Sequence, residues 1–140
     1  MNNSINNIPL FATGFFTAPP YDLAPPRLVG GICKKCCKDY FPRPKYCPKC
    51  LGIVNEKKMV SKGVIHSFTV VRTKPPMGLP QPYCVGYIDL DESNLRVFCL
   101  LDPMTIDQFT IGTKVKLEVG LLGHDNSGIA CLRPYFKSDL

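Results

Sequence analysis

From residue 59 onward, apolar and polar positions fall into the short alternating runs of half-buried β-strands. Residues 64–72 are dense in β-branched and aromatic side chains, and residues 83–90 make a second such run. Residues 95–101 form a third, after Asp91-Glu92-Ser93-Asn94, which has the composition of a hairpin loop. Residues 114–121 alternate cleanly and place Val115, Leu117, Val119 and Leu121 on one inner face. His124-Asp125-Asn126-Ser127-Gly128 predicts a turn, and residues 129–136 the last strand. Between the third and fourth strands, residues 102–109 predict one or two helical turns, capped by Asp102 with Pro103 at the first helical position. Five strands with a short insert after the third is the element order of an OB-fold barrel, with a small SH3-like barrel as the main rival.

The first part of the chain reads differently. Residues 1–9 are polar and predict a disordered start. Residues 10–32 are apolar, but Pro19-Pro20 and Pro25-Pro26 exclude one long helix. Phe11, Phe15, Phe16 and Tyr21 give this irregular segment four aromatics, so it must lie against its own domain or a partner subunit. Four prolines in residues 73–82 predict a stiff, extended loop between the first two strands, where OB-folds often carry ligand or partner contacts.

Cys33-Lys34-Lys35-Cys36 and Cys47-Pro48-Lys49-Cys50 carry the strongest chemical signal. Each Cys-x-x-Cys pair aims two sulfurs at one point, and four thiolates complete a tetrahedral zinc site with no open position. Such a metal holds structure and does not activate water. Iron takes the same ligands in rubredoxin-like sites. Cys37 directly follows Cys36 and could replace it by a one-residue slip; matched x-x spacing favours Cys36. Phe41-Pro42-Arg43-Pro44 between the pairs predicts an extended connection, and Gly52 a turn after the second pair. The whole therefore reads as a mainly β protein in three parts. An N-terminal docking segment (1–31) leads to a four-cysteine, rubredoxin-like zinc ribbon (32–58) and then a five-stranded OB-fold barrel (59–140).

Length and composition add bounds. The 140 residues suit one small domain plus a metal module, and 45% hydrophobic content suits a globular protein. No segment approaches the ~18 consecutive apolar residues of a membrane span. The start, Met1-Asn2-Asn3-Ser4-Ile5, lacks a basic region followed by an apolar run, so the expected location is the cytoplasm. Eight cysteines in a reducing compartment serve metals more often than bridges. The net charge of +6 is uneven: residues 27–74 hold twelve Lys and Arg against Asp39 and Glu56 alone. Part of that excess stabilises the thiolates, and the remainder could face phosphates or an acidic protein surface.

No catalytic constellation is visible. His66 falls inside the first barrel strand and His124 in a hairpin turn. Gly-x-Ser-x-Gly, a phosphate-cradling glycine loop and His-x-x-x-His are all missing. Cys84, Cys99 and Cys131 lie in predicted strands without a base beside them, which reads as core packing.

Cys33-x-x-Cys36, then Tyr40-Phe41-Pro42-Arg43-Pro44, then Cys47-Pro48-x-Cys50 resembles the zinc ribbon of the DUF35 family of acyl-CoA-associated OB-fold proteins. Residues 62–71 are similar to that family's first barrel strand. Pro82-Tyr83, Ile88-Asp89-Leu90-Asp91 and Ile111-Gly112-Thr113-Lys114-Val115 are similar to its later segments, in the right order. The resemblance spans residues 10–136 and departs from the family at Cys37 and in the 91–94 turn, where glycine is usual. It implies a non-catalytic accessory subunit that pairs with a thiolase-like catalytic subunit, as in the benzoylsuccinyl-CoA thiolase type. It further implies a structural Zn2+ and a coenzyme A thioester bound at the complex. Phosphate-facing charges would then come from Arg43, Lys45, Lys49, Arg72 and Lys74. The rival reading is a single-stranded nucleic-acid binder, for which Tyr83, Tyr87, Arg96 and Phe98 offer a thin stacking platform beside Asp89 and Asp91. A free-standing acyl-CoA-binding protein is the third.

Overall fold

The computed structural model describes residues 9–12, 14–18 and 24–139. Expectations for residues 1–8 and for Tyr21 lie outside these residues.

Among the described residues, nine strands form two sheets. β1 (Phe16–Thr17), β2 (Arg27–Cys33), β3 (Lys38–Tyr40) and β4 (Asn55–Lys58) build the ribbon sheet. β5 (Lys62–Val71), β6 (Tyr83–Leu90), β7 (Arg96–Leu101), β8 (Lys114–His124) and β9 (Ala130–Ser138) close a barrel in the order β5-β6-β7-β9-β8. Antiparallel pairing of β5 with β8 closes one seam, and a single parallel bridge, Leu101 to Phe136, closes the other. This closed five-stranded barrel is the OB-fold expected above.

The sequence pattern hid β2. This strand is central to the ribbon sheet, pairing with β1, β3 and β4, and it runs across the 31/32 boundary drawn from sequence. Its residues 28–31 are all buried, because both faces are covered, so no alternation marks it. Gly30 and Gly31 make this possible. A Cβ on Gly30 would strike the Tyr40 carbonyl oxygen, and one on Gly31 would come within 2.9 Å of the Asn55 carbonyl oxygen.

The ribbon and barrel share one core. Phe16, Ala18, Leu28 and Met59 pack with Ile65, Ile88, Val97, Leu101, Val115 and Phe136. At the same junction the buried Asp39 carboxylate accepts Lys57 Nζ at 2.9 and 3.0 Å and Ser93 Oγ at 2.9 Å. That pins the β6–β7 hairpin to the ribbon. The N-terminal aromatics divide: Phe16 is buried, whereas Phe11 and Phe15 are 42% and 44% exposed.

Two expectations need correction. The 102–109 insert is a 3-10 turn at Ile106–Gln108, without an α-helix. Asp102 does accept Met104 N (3.0 Å) and Thr105 Oγ1 (2.9 Å), but successive i to i+3 bonds tighten the segment as Phe109 enters the core. The 73–82 loop is folded back, not extended. Met77 and Gly78 turn it at φ of 51° and 69°, and the Met77 carbonyl accepts His124 N at 2.8 Å.

The two departures from the family pattern share a conformation. Cys37 (φ 54°) and Glu92 (φ 56°) both occupy the left-handed region that suits glycine. Cys37→Gly and Glu92→Gly should therefore each raise stability, by about 0.5–1 kcal/mol after the entropy gained by the unfolded chain. Urea midpoints rising at constant slope would bear this out, and lower midpoints for both would refute it.

Candidate functional site

The two cysteine pairs converge. Cys33, at the end of β2, and Cys36 form one knuckle; Cys47 and Cys50 form the other. The four sulfurs lie within 4.8 Å of one another, with Cys33 to Cys50 at 3.5 Å and Cys47 to Cys36 at 3.9 Å. A tetrahedron with ~2.3 Å metal–sulfur bonds has edges of about 3.8 Å, so the donor set fits a closed four-thiolate site. The knuckles repeat the same backbone device. Each second cysteine is followed by a residue at positive φ, Cys37 at 54° and Leu51 at 63°. That geometry turns Cys37 outward: it is exposed, its Sγ lies 3.6 Å from the Lys34 carbonyl, and it stands outside the four-sulfur group.

Neighbouring donors suit thiolates. Backbone N–H groups of Cys36 and Gly52 point at Cys33 and Cys50 Sγ, each at 3.4 Å. The Tyr40 hydroxyl lies 3.3 Å from Cys47 Sγ, a contact the sequence reading missed although Tyr40 sits in the ribbon motif. Hydrogen bonding to Tyr40 lowers the Cys47 thiol to about 6, while the neighbouring Cys50 sulfur pushes Cys36 up to about 12. Four crowded thiols cannot all ionise unaided, and a divalent cation removes that conflict. Around them the ribbon has little apolar packing of its own: its buried cluster is Cys33, Cys47 and Val54.

The five basic candidates fall into two groups along the chain. Arg43, Lys45 and Lys49 lie on the ribbon, which joins β5 at its N-terminal end; Arg72 and Lys74 follow its C-terminal end. Arg43 is engaged, donating Nε to the Val54 carbonyl at 3.0 Å and standing 3.8 Å from Glu56. Lys45 lies over the Tyr46 ring at 5.5 Å. Lys49, Arg72 and Lys74 are exposed.

On the outer face of β6 and β7, Tyr87 and Phe98 form a tilted ring pair, 5.1 Å between centroids. Arg96 beside them is not a free cation. Its guanidinium grips Asp89 at 2.6 and 3.3 Å, and His66 stands 3.7 Å from the same carboxylate. The Arg96 hydrogen bond holds Asp89 below the usual carboxylate range.

Arg133 also escaped the sequence reading. It is 5% exposed and donates to the carbonyls of Leu122 (2.7 Å) and His124 (3.0 Å). It lies 3.2 Å from Met77 Sδ and 4.0 Å from the Phe11 ring centroid. One buried cation thus ties the 73–82 loop, the β8–β9 hairpin and the N-terminal segment together. Its signal was its parity with Cys131, an inward position.

The remaining thiols sit in the barrel. Cys84 and Cys131 are fully buried, and burial pushes Cys84 to about 11 and Cys99 to about 12. Among the described residues no helix is long and apolar enough to cross a membrane.

Comparison with known proteins agrees with this architecture. The family model for the C-terminal OB-fold domain of ChsH2 matches residues 56–120. The chain is 34% identical over 119 residues to the benzoylsuccinyl-CoA thiolase subunit BbsA of Thauera aromatica, covering 84% of this chain and 81% of that one. It is 32% identical over 93 residues to a DUF35 domain-containing scaffold protein of Methanothermobacter thermautotrophicus, covering 64% and 69%. Among solved structures, the Ltp2–ChsH2(DUF35) aldolase superposes with a TM-score of 0.66 at 23% identity, over 81% of this chain and 86% of that one. A DUF35 protein of unknown function from Sulfolobus solfataricus gives 0.50 at 20% identity, over 81% and 76%. Those two structures speak for the fold. At 32% identity to the DUF35 domain-containing scaffold protein over 69% of its length, the chain belongs to the DUF35 family.

Proposed function

We propose that this chain is a non-catalytic, zinc-holding OB-fold subunit of a thiolase-type acyltransferase complex in the cytoplasm. It stabilises that complex and lends basic residues to the coenzyme A thioester site. The observation that carries this reading is the 34% identity with a benzoylsuccinyl-CoA thiolase subunit across four-fifths of both chains. The site chemistry is consistent with it. A closed four-sulfur site leaves a zinc ion no position for substrate. Thiols held near 11 and 12 are poor nucleophiles at neutral pH. The Asp89 grip on Arg96 removes the cation that a stacking platform for single strands would need.

The acyl-CoA role makes a graded prediction. A charge-assisted contact to phosphate contributes about 1.5–3 kcal/mol, so alanine at a true contact should weaken acyl-CoA binding roughly tenfold or more. Lys49, Arg72 and Lys74 are the stronger candidates, because Arg43 is already committed to Val54 and Glu56. Titration of the reconstituted complex with an acyl-CoA and its dephospho form reads this directly. Parent-like affinity in all five alanine variants would remove the basic residues from the site.

A further inference from the structure

An apolar slot of about 240 Å³ opens where the N-terminal segment, the ribbon and the barrel meet, lined by Phe11, Phe15, Phe16, Phe41, Phe98 and Pro134. Phe98 also borders a shallower cleft with Phe68, Val85 and Tyr87, so slot and β6–β7 face are one continuous surface. Phe11, Phe15, Tyr87 and Phe98 are 42%, 44%, 46% and 58% exposed, together about 400 Å² of aromatic surface at ~200 Å² per ring. That is the size of the largest apolar patch on a typical monomer, and such patches are often functional. It is also about half of the roughly 800 Å² that each partner gives to a standard protein interface.

Electrostatics decides what kind of partner fits. Asp89 bonds Arg96 and faces His66, so the charged side chains beside the ring pair neutralise one another. Arg133 is turned inward, bonded to the Leu122 and His124 carbonyls beneath the Phe11 ring. Among the described residues, those lining the slot and the cleft carry no charge, so a polyanion gains little there. An apolar protein surface would meet no unpaired charge to desolvate. The three elements that frame the slot are also fixed to one another before binding, through the shared core and through Arg133. Binding therefore need not order the frame.

We infer that this aromatic face is where the catalytic subunit docks, placing an apolar patch over Tyr87 and Phe98 and one large hydrophobic side chain in the slot. The inference rests on the function proposed above and adds the surface through which it operates.

The test uses the zinc-loaded full chain and a purified thiolase-family subunit from the same organism, with affinity measured by calorimetry. Phe98→Glu and Tyr87→Glu should each weaken association about thirtyfold or more, the scale of a lost interface anchor. Met104→Glu, at an exposed apolar side chain of the 102–109 insert, should bind like the parent. Zinc content and urea midpoint of each variant report folding; if both glutamate variants unfold, the rings are structural and the inference fails. Parent-like binding by folded Phe98→Glu and Tyr87→Glu overturns the surface and leaves the proposed function standing. Failure of the parent to bind any thiolase-family subunit overturns the proposed function itself. Two further results would reassign the face: a parent dimer that Phe98→Glu makes monomeric, or oligothymidylate binding lost in Tyr87→Glu.

Discussion

Serine in place of any one of Cys33, Cys36, Cys47 or Cys50 is expected to unfold the ribbon and lower the chain's stability more than any other single change. Metal binding supplies on the order of 10 kcal/mol to modules of this kind. This ribbon has little to replace it, since its buried cluster is Cys33, Cys47 and Val54, with half-buried Cys36, Cys50 and Tyr40 around it. The loss would spread. Leu28 of β2 and Met59, just after β4, sit in the core shared with the barrel, and Phe41 packs against it. Asp39 would lose its hold on Ser93 of the β6–β7 hairpin. Metal analysis should find one zinc per parent chain, and chelation should reproduce the variants' loss of structure. With four thiolates as the expected ligands, acid should release the metal with uptake of protons. Cys37→Ser should keep the metal, its sulfur lying outside the four-sulfur group. Parent protein purified without zinc or iron would defeat this prediction.

The second large effect is expected at Arg133. Arg133→Met keeps much of the side chain's length but removes the donors that satisfy the Leu122 and His124 carbonyls. Both carbonyls are part-buried, so each loses a donor at the lower end of the about 1–3 kcal/mol penalty, and a loss of about 2–3 kcal/mol is expected. The 73–82 loop should loosen first, since Arg133 contacts Met77 as well. Hydrogen exchange should show this as faster exchange of His124 N–H, which is bonded to the Met77 carbonyl. An unchanged urea midpoint with unchanged His124 exchange would show that the guanidinium is not a tie.

The contrast between these two sites explains what sequence could reveal. The cysteine knuckles are local: each needs two cysteines three positions apart and a turn, so spacing alone announced them. Barrel strands with one wet face declared themselves by alternation, as β8 does at Val115 and Leu117, but Leu121, expected on the inner face, is 59% exposed where the register shifts. β2 did not, because it is covered on both faces and follows Pro25-Pro26. The Pro-rich loop misled in the other direction. Its prolines favoured extension, but Met77 and Gly78 at positive φ turn it back onto the β8–β9 hairpin. Arg133 acts on three segments far apart in sequence, and a lone arginine in a strand gives no sign of that. The aromatic residues of 10–18 were visible as a group. Which of them the chain buries for itself, Phe16, and which it leaves exposed, Phe11 and Phe15, depends on β1 pairing with β2.

The central claim is that this chain works as the metal-holding, non-catalytic partner of a thiolase-type enzyme. Native mass spectrometry of the tagged chain, isolated from its own cells and with partners identified by peptide sequencing, tests it most directly. The expected result is a stoichiometric hetero-oligomer with a thiolase-superfamily subunit and one zinc per copy of this chain. A chain that runs alone, or that carries nucleic acid in place of a thiolase, would contradict the account.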